Sequence, residues 1–183
     1  MKFTRQTIPD VIVIEPTIFI DKRGYFAEIF RNDLLEEELG YKVNFIQENE
    51  SKSSKGVLRG LHYQEPPYSQ AKLVRVVQGR VLDIAVDMRR SSTSFGEYIA
   101  VELSDKNKNQ MFIPHGFAHG FVVLSSYATL TYKIDNYYSS EHERGVAYNE
   151  KSLAINWILS SKDLKLSEKD KVQPSLLDAF IFD

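Results

Sequence analysis

The sequence predicts a mainly β protein in which many short strands form a barrel or a sandwich. Segments rich in β-branched and aromatic residues follow one another closely, and Gly, Asn, Asp or Pro stands in many of the gaps between them. Helix signals are few and short. The chain has 183 residues, of which 43% are hydrophobic and 12% aromatic. It therefore suits one domain, residues 1–183, with a sizeable core.

Ten segments have the composition of strands. They are Val11–Ile14, Tyr25–Phe30, Val43–Asn49, Leu58–Gln64, Lys72–Val77, Arg80–Asp87, Tyr98–Leu103, Met111–Ile113, Phe121–Leu124 and Ala128–Ile134. Asn32 is a candidate N-cap of a short helix over Asp33–Leu39, which Gly40 would close. A second short helix is expected near Ser167–Lys171.

Side chains alternate along a strand, and this alternation marks candidate cavity positions. In Val43–Asn49, Gln47 and Asn49 share a face with Val43 and Phe45. An apolar face that becomes polar at one end suits the mouth of a ligand-binding barrel.

Two other predicted strands carry a polar group on an otherwise apolar face. Asp83 alternates with Val81 and Ala85, and parity leaves open whether this acid faces solvent or an internal cavity. Tyr132 shares a face with Leu130, where its hydroxyl needs a hydrogen-bonding partner.

Composition excludes several classes of function. The chain has no cysteine, which rules out disulfides, thiolate metal sites and cysteine nucleophiles. A formal net charge of −2 offers no basic surface to nucleic acid or to a membrane. The first residues lack the apolar core of a signal peptide, and no apolar run reaches the roughly 20 residues of a membrane helix. We therefore expect a cytoplasmic protein.

His62 is the first candidate for chemistry. It follows Arg59 by three residues in the strand-like run GVLRGLHYQ, so a regular strand would turn the two side chains to opposite faces. A bulge at Gly60 would point both inward, where they would hold an anion near a general base. A purely structural role is the alternative for a lone histidine on a strand.

His115 and His119 have the spacing of a metal-binding pair on a helix. The proline and glycines of FIPHGFAHGF indicate loop and strand instead, and two buried, hydrogen-bonded histidines are the alternative. A metal centre beside His62 would need another histidine close by, and Gln64 stands there. The sequence therefore predicts no metal.

Other candidates have ordinary explanations when taken singly. Lys72 opens an apolar strand, either as an exposed strand end or as a donor that stabilises an enolate oxygen. Tyr137 and Tyr138 suit aromatic packing or stacking on a base or sugar. Asp170 lies in a charged stretch, where a solvated surface is the default interpretation.

Longer motifs occur in one order along the chain. They are DKRGYFAE, QENESKSSKGVLRGLHYQ, PPYSQAKLVRVVQGRVLDIAVDMRRSSTSFG, FIPHGFAHGF, TYKIDNYYSSEHERG and LSEKD. On these motifs the chain, from about residue 10 to about residue 177, resembles the dTDP-4-dehydrorhamnose 3,5-epimerase family, also called dTDP-4-keto-6-deoxyglucose 3,5-epimerases. Glu48, where the family commonly has Asp, and the C-terminal DAFIFD depart from its pattern.

The resemblance implies a cupin-like double-stranded β-helix, or jelly-roll barrel, that forms a homodimer with exchanged N-terminal strands. It implies a dTDP-4-keto-6-deoxyhexose as substrate, and no cofactor. By position, His62 matches the general base, Asp170 its orienting carboxylate, Tyr132 the general acid and Lys72 the group near the C4 keto oxygen. The other matched positions contact or surround the substrate. They are Arg59 and His119, the polar lining Gln47 and Asn49, the nucleotide contacts Arg23 and Glu28 from the neighbouring subunit, and Tyr138, Glu143 and Lys169.

The implied reaction inverts C3 and C5 of dTDP-4-keto-6-deoxy-D-glucose, giving dTDP-4-keto-L-rhamnose for dTDP-L-rhamnose biosynthesis. The residue types suit it, because a neutral imidazole can take the proton that a C4 ketone acidifies. A phenol across the sugar would return a proton to the other face. Three alternatives remain open from sequence. They are an epimerase of one centre only, a non-catalytic sugar-nucleotide-binding barrel, and a metal-dependent cupin oxygenase or isomerase.

Overall fold

The computed structural model describes residues 1–183, and two antiparallel sheets facing each other dominate it. Its strands are β1 (Lys2–Arg5), β2 (Ile12–Glu15), β3 (Ile18–Asp21), β4 (Gly24–Ala27), β5 (Gln47–Ser54), β6 (Leu58–Gln64), β7 (Lys72–Gln78), β8 (Arg80–Asp87), β9 (Tyr98–Ser104), β10 (Gln110–Ile113), β11 (Phe117–Val123), β12 (Tyr127–Ile134) and β13 (Glu143–Gly145). The helices are α1 (Asn32–Leu39) and α2 (Glu168–Lys171), with a 3₁₀ turn at Ser161–Asp163.

Strand order identifies the architecture. One sheet runs β1-β2-β10-β7-β12-β5 and the other β13-β6-β11-β8-β9, while β3 and β4 form a separate hairpin. From β5 to β13 the chain passes back and forth between the two sheets, with β8 and β9 the one consecutive pair in the same sheet. This is a cupin-like jelly roll, and the predicted fold class is confirmed. No helix is both long and apolar enough to span a bilayer.

The main core fills the space between the sheets and contains Val74, Val81, Ala85 and Leu130. A second cluster lies on the outer face of the five-stranded sheet, where residues 146–182 cover it. Because Val81 and Ala85 belong to the inner cluster, the parity of β8 places Asp83 on the inner face as well. Asp83 therefore faces the interior of the barrel and not the solvent.

The predicted strands over Leu58–Gln64 and Arg80–Asp87 are confirmed residue for residue. The strand predicted over Val43–Asn49 is wrong in its bounds, because β5 covers the polar run Gln47–Ser54. This run pairs with β12 along its whole length, and ladder pairing outweighs its poor strand propensity. The predicted strand Phe121–Leu124 also has the wrong bounds, because β11 covers Phe117–Val123. Gly120 does not interrupt this strand, since it lies between β6 and β8 and pairs with Ile84 of β8.

The helix near residue 32 is confirmed, but its predicted cap is wrong. Asn32 is the first helical residue, and its side chain donates to Glu36 Oε1 at 2.9 Å instead of capping the helix. Gly40 ends the helix in the left-handed conformation, with φ of 77°, as the sequence predicted. At the other short helix, Ser167 is the N-cap of α2.

Candidate active site

A cavity of about 580 Å³ opens between the two sheets. Strands β6 and β11 of the five-stranded sheet form one wall, β5, β7 and β12 of the six-stranded sheet form the other, and α2 closes one side. The cavity brings together ten residues that the sequence singled out. They are Asn49, Arg59, His62, Lys72, His119, Tyr132, Tyr138, Glu143, Lys169 and Asp170.

The bulge expected at Gly60 is present in β6. His119 pairs with His62 and Phe121 with Arg59, so three steps along β6 oppose two steps along β11. Gly60 has a φ of +127° and lies directly against Gly120. The extra residue lets both Arg59 and His62 reach the cavity, as predicted from sequence.

His62 is held by a carboxylate from the far end of the chain. Its Nε2 lies 2.6 Å from Asp170 Oδ1. The other carboxylate oxygen, Oδ2, accepts from Ser167 Oγ at 2.7 Å, and Ser167 Oγ accepts from the Asp170 backbone N–H at 3.1 Å. Burial alone would raise the pKa of Asp170, but the hydrogen bonds from His62 and Ser167 outweigh it and lower that pKa. An ionised Asp170 accepts from Nε2–H and leaves the lone pair on His62 Nδ1.

Tyr132 occupies the opposite wall. It lies on β12 in the six-stranded sheet, whereas His62 lies on β6 in the five-stranded sheet. Its ring packs against the inner core and its β5 partner is Asn49. Burial raises the pKa of Tyr132 and outweighs the opposing influence of Asn49 and Arg59. The phenol therefore carries its proton at neutral pH.

Lys72 lies on the same wall as Tyr132 and is 8% exposed. Its Nζ donates to the backbone carbonyl of His62 at 3.3 Å. Burial lowers the pKa of Lys72 to about 8, against the opposing charges of Asp83 and Glu143. Lys72 is thus a buried cation inside the cavity, and not the exposed strand end that was the alternative.

At the rim, three of the predicted residues form a connected group. Tyr138 donates its hydroxyl hydrogen to Glu143 Oε2 at 2.6 Å, and Lys169 forms an ion pair with the same carboxylate. The hydrogen bond to Glu143 raises the pKa of Tyr138 to about 12. This group joins the loop before β13 to α2 across one edge of the cavity.

Three predicted positions stand outside the cavity lining. Gln47 lies just beyond it and donates to Asn49 Oδ1 at 2.9 Å, so it orients a lining residue. Arg23 pairs with Asp21 at the exposed turn of the β3–β4 hairpin. Glu28 follows that hairpin and lies near Arg31. Within one chain, Arg23 and Glu28 do not join the cavity residues.

A family described as dTDP-4-dehydrorhamnose 3,5-epimerase matches residues 5–178. The chain belongs to this family. A relative of that name from Shigella flexneri is 50% identical over 182 residues, covering 100% of this chain and 99% of the relative.

Solved epimerase structures have the same fold. That of the Elizabethkingia anophelis enzyme superposes with a TM-score of 0.94 at 48% identity, covering 97% of both chains. The Legionella pneumophila enzyme, solved in complex with dTDP-4-keto-L-rhamnose, gives a TM-score of 0.92 at 45% identity and covers 97% of this chain and 93% of that one. This chain is therefore an epimerase, an enzyme of the isomerase class.

Sequence reasoning missed several residues of the epimerase cavity. Ser167 could have been found, because Ser-x-x-Asp before a short helix is a capping pattern that ties Ser167 to Asp170. Gln64 also lines the cavity. Its side chain donates to the carbonyls of Tyr68 and Tyr137 and accepts from the Ser139 N–H, so it fixes both neighbours of Tyr138.

The two histidines of the glycine-rich motif have separate partners. His119 is buried and bonds through Nε2 to Asp83 Oδ1 at 2.8 Å. His115 is about half exposed, and its Nε2 lies 2.8 Å from Asp135 Oδ2. The alternative of two buried, hydrogen-bonded histidines therefore describes His119, whereas His115 is hydrogen-bonded but not buried. No group of three or more His, Asp or Glu side chains is arranged to hold a metal ion.

Proposed function

We propose that this epimerase inverts C3 and C5 of dTDP-4-keto-6-deoxy-D-glucose to give dTDP-4-keto-L-rhamnose, by proton transfer through an enolate. One observation carries the mechanism: His62 and Tyr132 enter a single cavity from opposite sheets. A base on one face of a sugar and an acid on the other are what inversion of a carbon centre requires.

The first step removes a proton next to the C4 carbonyl. His62 Nδ1 takes the proton from C5 or C3, and the electron pair of the broken C–H bond forms the enolate. Asp170 stabilises the imidazolium, since its carboxylate is already bonded to Nε2. The ammonium of Lys72 stabilises the negative charge on the C4 oxygen, and one such preorganised donor contributes about 3 kcal/mol.

The second step delivers a proton to the other face. Tyr132 donates its hydroxyl proton to the enolate carbon, which re-forms the ketone and leaves that carbon inverted. Solvent then reprotonates the phenolate and takes the proton from His62. The same pair of groups repeats the process at the second centre.

The remaining polar residues support binding of the nucleotide diphosphate. Arg59 lines the cavity and Lys169 lies on its rim. Guanidinium and ammonium groups are suited to phosphate oxygens. Tyr138, which is exposed at the rim, offers an aromatic face to the thymine.

We further propose that single-domain subunits form a homodimer through the β3–β4 hairpin. In one chain this hairpin exposes Phe19, Ile20, Tyr25 and Phe26, an apolar surface that a second copy would cover. Arg23 and Glu28 would then reach the neighbouring subunit's cavity. The cytoplasmic location predicted from sequence remains part of this proposal, as does function without a metal or another cofactor.

The function is tested by incubating the protein with dTDP-4-keto-6-deoxy-D-glucose in D₂O. The sugar product and its deuterium content are then followed by NMR. We expect dTDP-4-keto-L-rhamnose with deuterium at C3 and C5, in undiminished yield after treatment with a chelator. Inversion at only one carbon would establish a single-centre epimerase, and no exchange at either carbon would overturn the proposed substrate and favour a non-catalytic binding role.

Two variants are matched for this experiment. His62→Asn should abolish exchange at both carbons, because it removes the base. Tyr132→Phe should slow epimerisation more than it slows the first exchange, because the enolate can still form.

Loss of activity in chelator, recovered with added metal, would instead support a metal-dependent enzyme.

A further inference from the structure

Asp83 is a carboxylate entirely buried beneath the cavity, on the inner face of β8. Oδ1 bonds to His119 Nε2 at 2.8 Å, whereas Oδ2 is buried without any hydrogen-bond partner. An ionised carboxylate oxygen that has lost both water and hydrogen bonds is costly, unless a positive charge lies close to it. Asp83 therefore calls for a nearby cation.

Lys72 lies on the facing sheet and is linked to Asp83 through two neighbouring residues. Its Nζ donates to the His62 carbonyl, and His62 pairs in register with His119, the residue bonded to Asp83. The Lys72 ammonium is shielded from water, and its hydrogen bond is a 3.3 Å contact to the His62 carbonyl. Such a group loses its proton readily, and burial lowers the pKa of Lys72 to about 8. The charge of Asp83 is the largest influence that opposes this loss, followed by that of Glu143.

We propose that Asp83 is a positioning residue that keeps Lys72 protonated, so that Lys72 can stabilise the enolate although Asp83 never touches the substrate. This inference rests on the proposed function only in giving Lys72 that role. Glu143 is less suited to the task, because Tyr138 and Lys169 already engage its carboxylate. Asp83 Oδ2, in contrast, has no hydrogen-bond partner, so its negative charge can act on the Lys72 ammonium.

The other titratable and charged groups around Lys72 come from every element that borders the cavity. They are Arg59, His62 and Tyr63 on β6, His119 on β11, Tyr132 on β12, Tyr138 and Glu143 at the rim, Lys165 before α2, and Lys169 and Asp170 on α2. Arg59, Lys165 and Lys169 are cations, which oppose protonation of Lys72. This makes an internal carboxylate more necessary.

Asp83→Asn separates charge from shape. The asparagine keeps an oxygen for His119 and nearly the same volume, but removes the negative charge. With its counter-charge gone, Lys72 should lose its proton at lower pH. In the native enzyme we expect kcat to decline on the alkaline side as Lys72, with its pKa of about 8, loses its proton. In Asp83→Asn this decline should move down by about one pH unit or more.

Lys72→Arg provides the kinetic control, because a guanidinium stays protonated throughout this range. The alkaline decline should disappear in Lys72→Arg and should not return in the Lys72→Arg/Asp83→Asn double variant. The proposal would be overturned if Asp83→Asn moved the alkaline decline of kcat by the same amount in the native enzyme and in Lys72→Arg. Asp83 would then act on a group other than Lys72.

A direct titration of Lys72 tests whether Asp83 raises its pKa, without any activity measurement. In protein with isotopically labelled lysine, the NMR signal of the Lys72 side chain is assigned by its loss in Lys72→Arg and followed against pH. We expect its pKa to fall in Asp83→Asn, and also in Asp83→Ser, which is a second variant in case the buried amide disturbs folding.

An unchanged Lys72 pKa in a folded variant would refute the inference, even if the protein proved to be an active epimerase. A lowered pKa in a protein without epimerase activity would contradict the proposed function alone.

Discussion

Residues far along the chain determine which nitrogen of His62 is free to act as the base. Asp170, 108 residues later, accepts at Nε2, and Ser167 fixes the direction of that carboxylate. Ser167 Oγ already accepts from the Asp170 backbone N–H, so its hydrogen points to Asp170 Oδ2. At the residue scale, the Asp170 carboxylate thus fixes which nitrogen of His62 stays free, and the Ser167 hydroxyl holds that carboxylate in place.

This arrangement predicts a large effect of Asp170→Asn. The Ser167 hydroxyl would attract the amide oxygen, the amide nitrogen would face His62 Nε2, and the imidazole proton would be forced onto Nδ1. We expect kcat to fall by about 10²–10⁴-fold, because the base then holds the wrong tautomer. Steady-state rates and the rate of deuterium exchange both measure this loss.

Ser167→Ala is the matched control, since it removes one hydrogen bond and keeps the carboxylate. Its loss of activity should be much smaller than that of Asp170→Asn, although α2 will be less stable without its cap, by about 0.5–2 kcal/mol. Equal losses in the two variants would show that the carboxylate charge has no special importance.

Individual residues differed in how far the sequence could predict them. Cavity positions for His62, Lys72 and Tyr132 follow from their strands and from family motifs, and the structure brings all three together. The inward direction of Asp83 did not follow, because alternation says which residues share a face and not which face is buried. Asp170 looked like a surface acid until its partners were known.

At the scale of elements, the close approach of β6 and β11 determines the shape of the cavity. Two glycines meet there, and a Cβ on Gly60 would lie 2.5 Å from Gly120 Cα and 2.8 Å from the His119 carbonyl oxygen. Backbone atoms cannot move aside as a flexible side chain can. The bulge that turns His62 inward therefore depends on the absence of a side chain at residue 60.

We accordingly expect Gly60→Ala to destabilise the fold by about 3 kcal/mol or more and to abolish epimerisation. Gly40→Ala is the control, because Gly40 also has a positive φ but no atom lies within 4 Å of its Cβ position. That substitution should cost only about 1–2 kcal/mol and leave kcat unchanged. Urea unfolding and steady-state kinetics give both quantities, and equal destabilisation would disprove a steric role for Gly60.

Strands with a regular apolar pattern were predictable from sequence. Strands that depend on pairing with a neighbouring strand were not. β6 and β8 have clear patterns and were predicted with correct bounds. β5 is almost entirely polar and exists because β12 pairs with it, and β13 is three residues long and exists because β6 pairs with it. Pairing between distant segments leaves little trace in local sequence.

At the scale of the whole molecule, the β3–β4 hairpin is the least protected part of the fold. It pairs with no other strand, and its large side chains Phe19, Ile20, Tyr25 and Phe26 are between 59% and 81% exposed. An isolated two-stranded hairpin has little stability of its own in water. A dimer that buries this hairpin would explain why Arg23 stands away from its own cavity.

Exchange of the hairpin predicts complementation between two inactive variants. Arg23→Ala and His62→Ala, co-expressed and purified as a heterodimer with two tags, should form one cavity that has both native residues. We expect about half of the native activity per dimer. Arg23 acting within its own subunit would leave the heterodimer without an intact site.

The matched control is a heterodimer of His62→Ala and Tyr132→Phe. Both residues belong to the cavity of a single subunit, so neither site in this mixture has the complete pair. It should stay inactive while the first mixture recovers. Recovery in both mixtures would point to carry-over of native protein and not to exchange.

The long separation between His62 and Asp170 also matters during protein synthesis. A ribosome translates the histidine's strand 108 codons before the carboxylate, and α2, which walls one side of the cavity, is made near the end. An unfinished polypeptide consequently has the imidazole without the carboxylate that fixes its tautomer. We therefore expect full activity only after translation has passed Asp170, because a shorter polypeptide lacks both this carboxylate and the α2 side of the cavity.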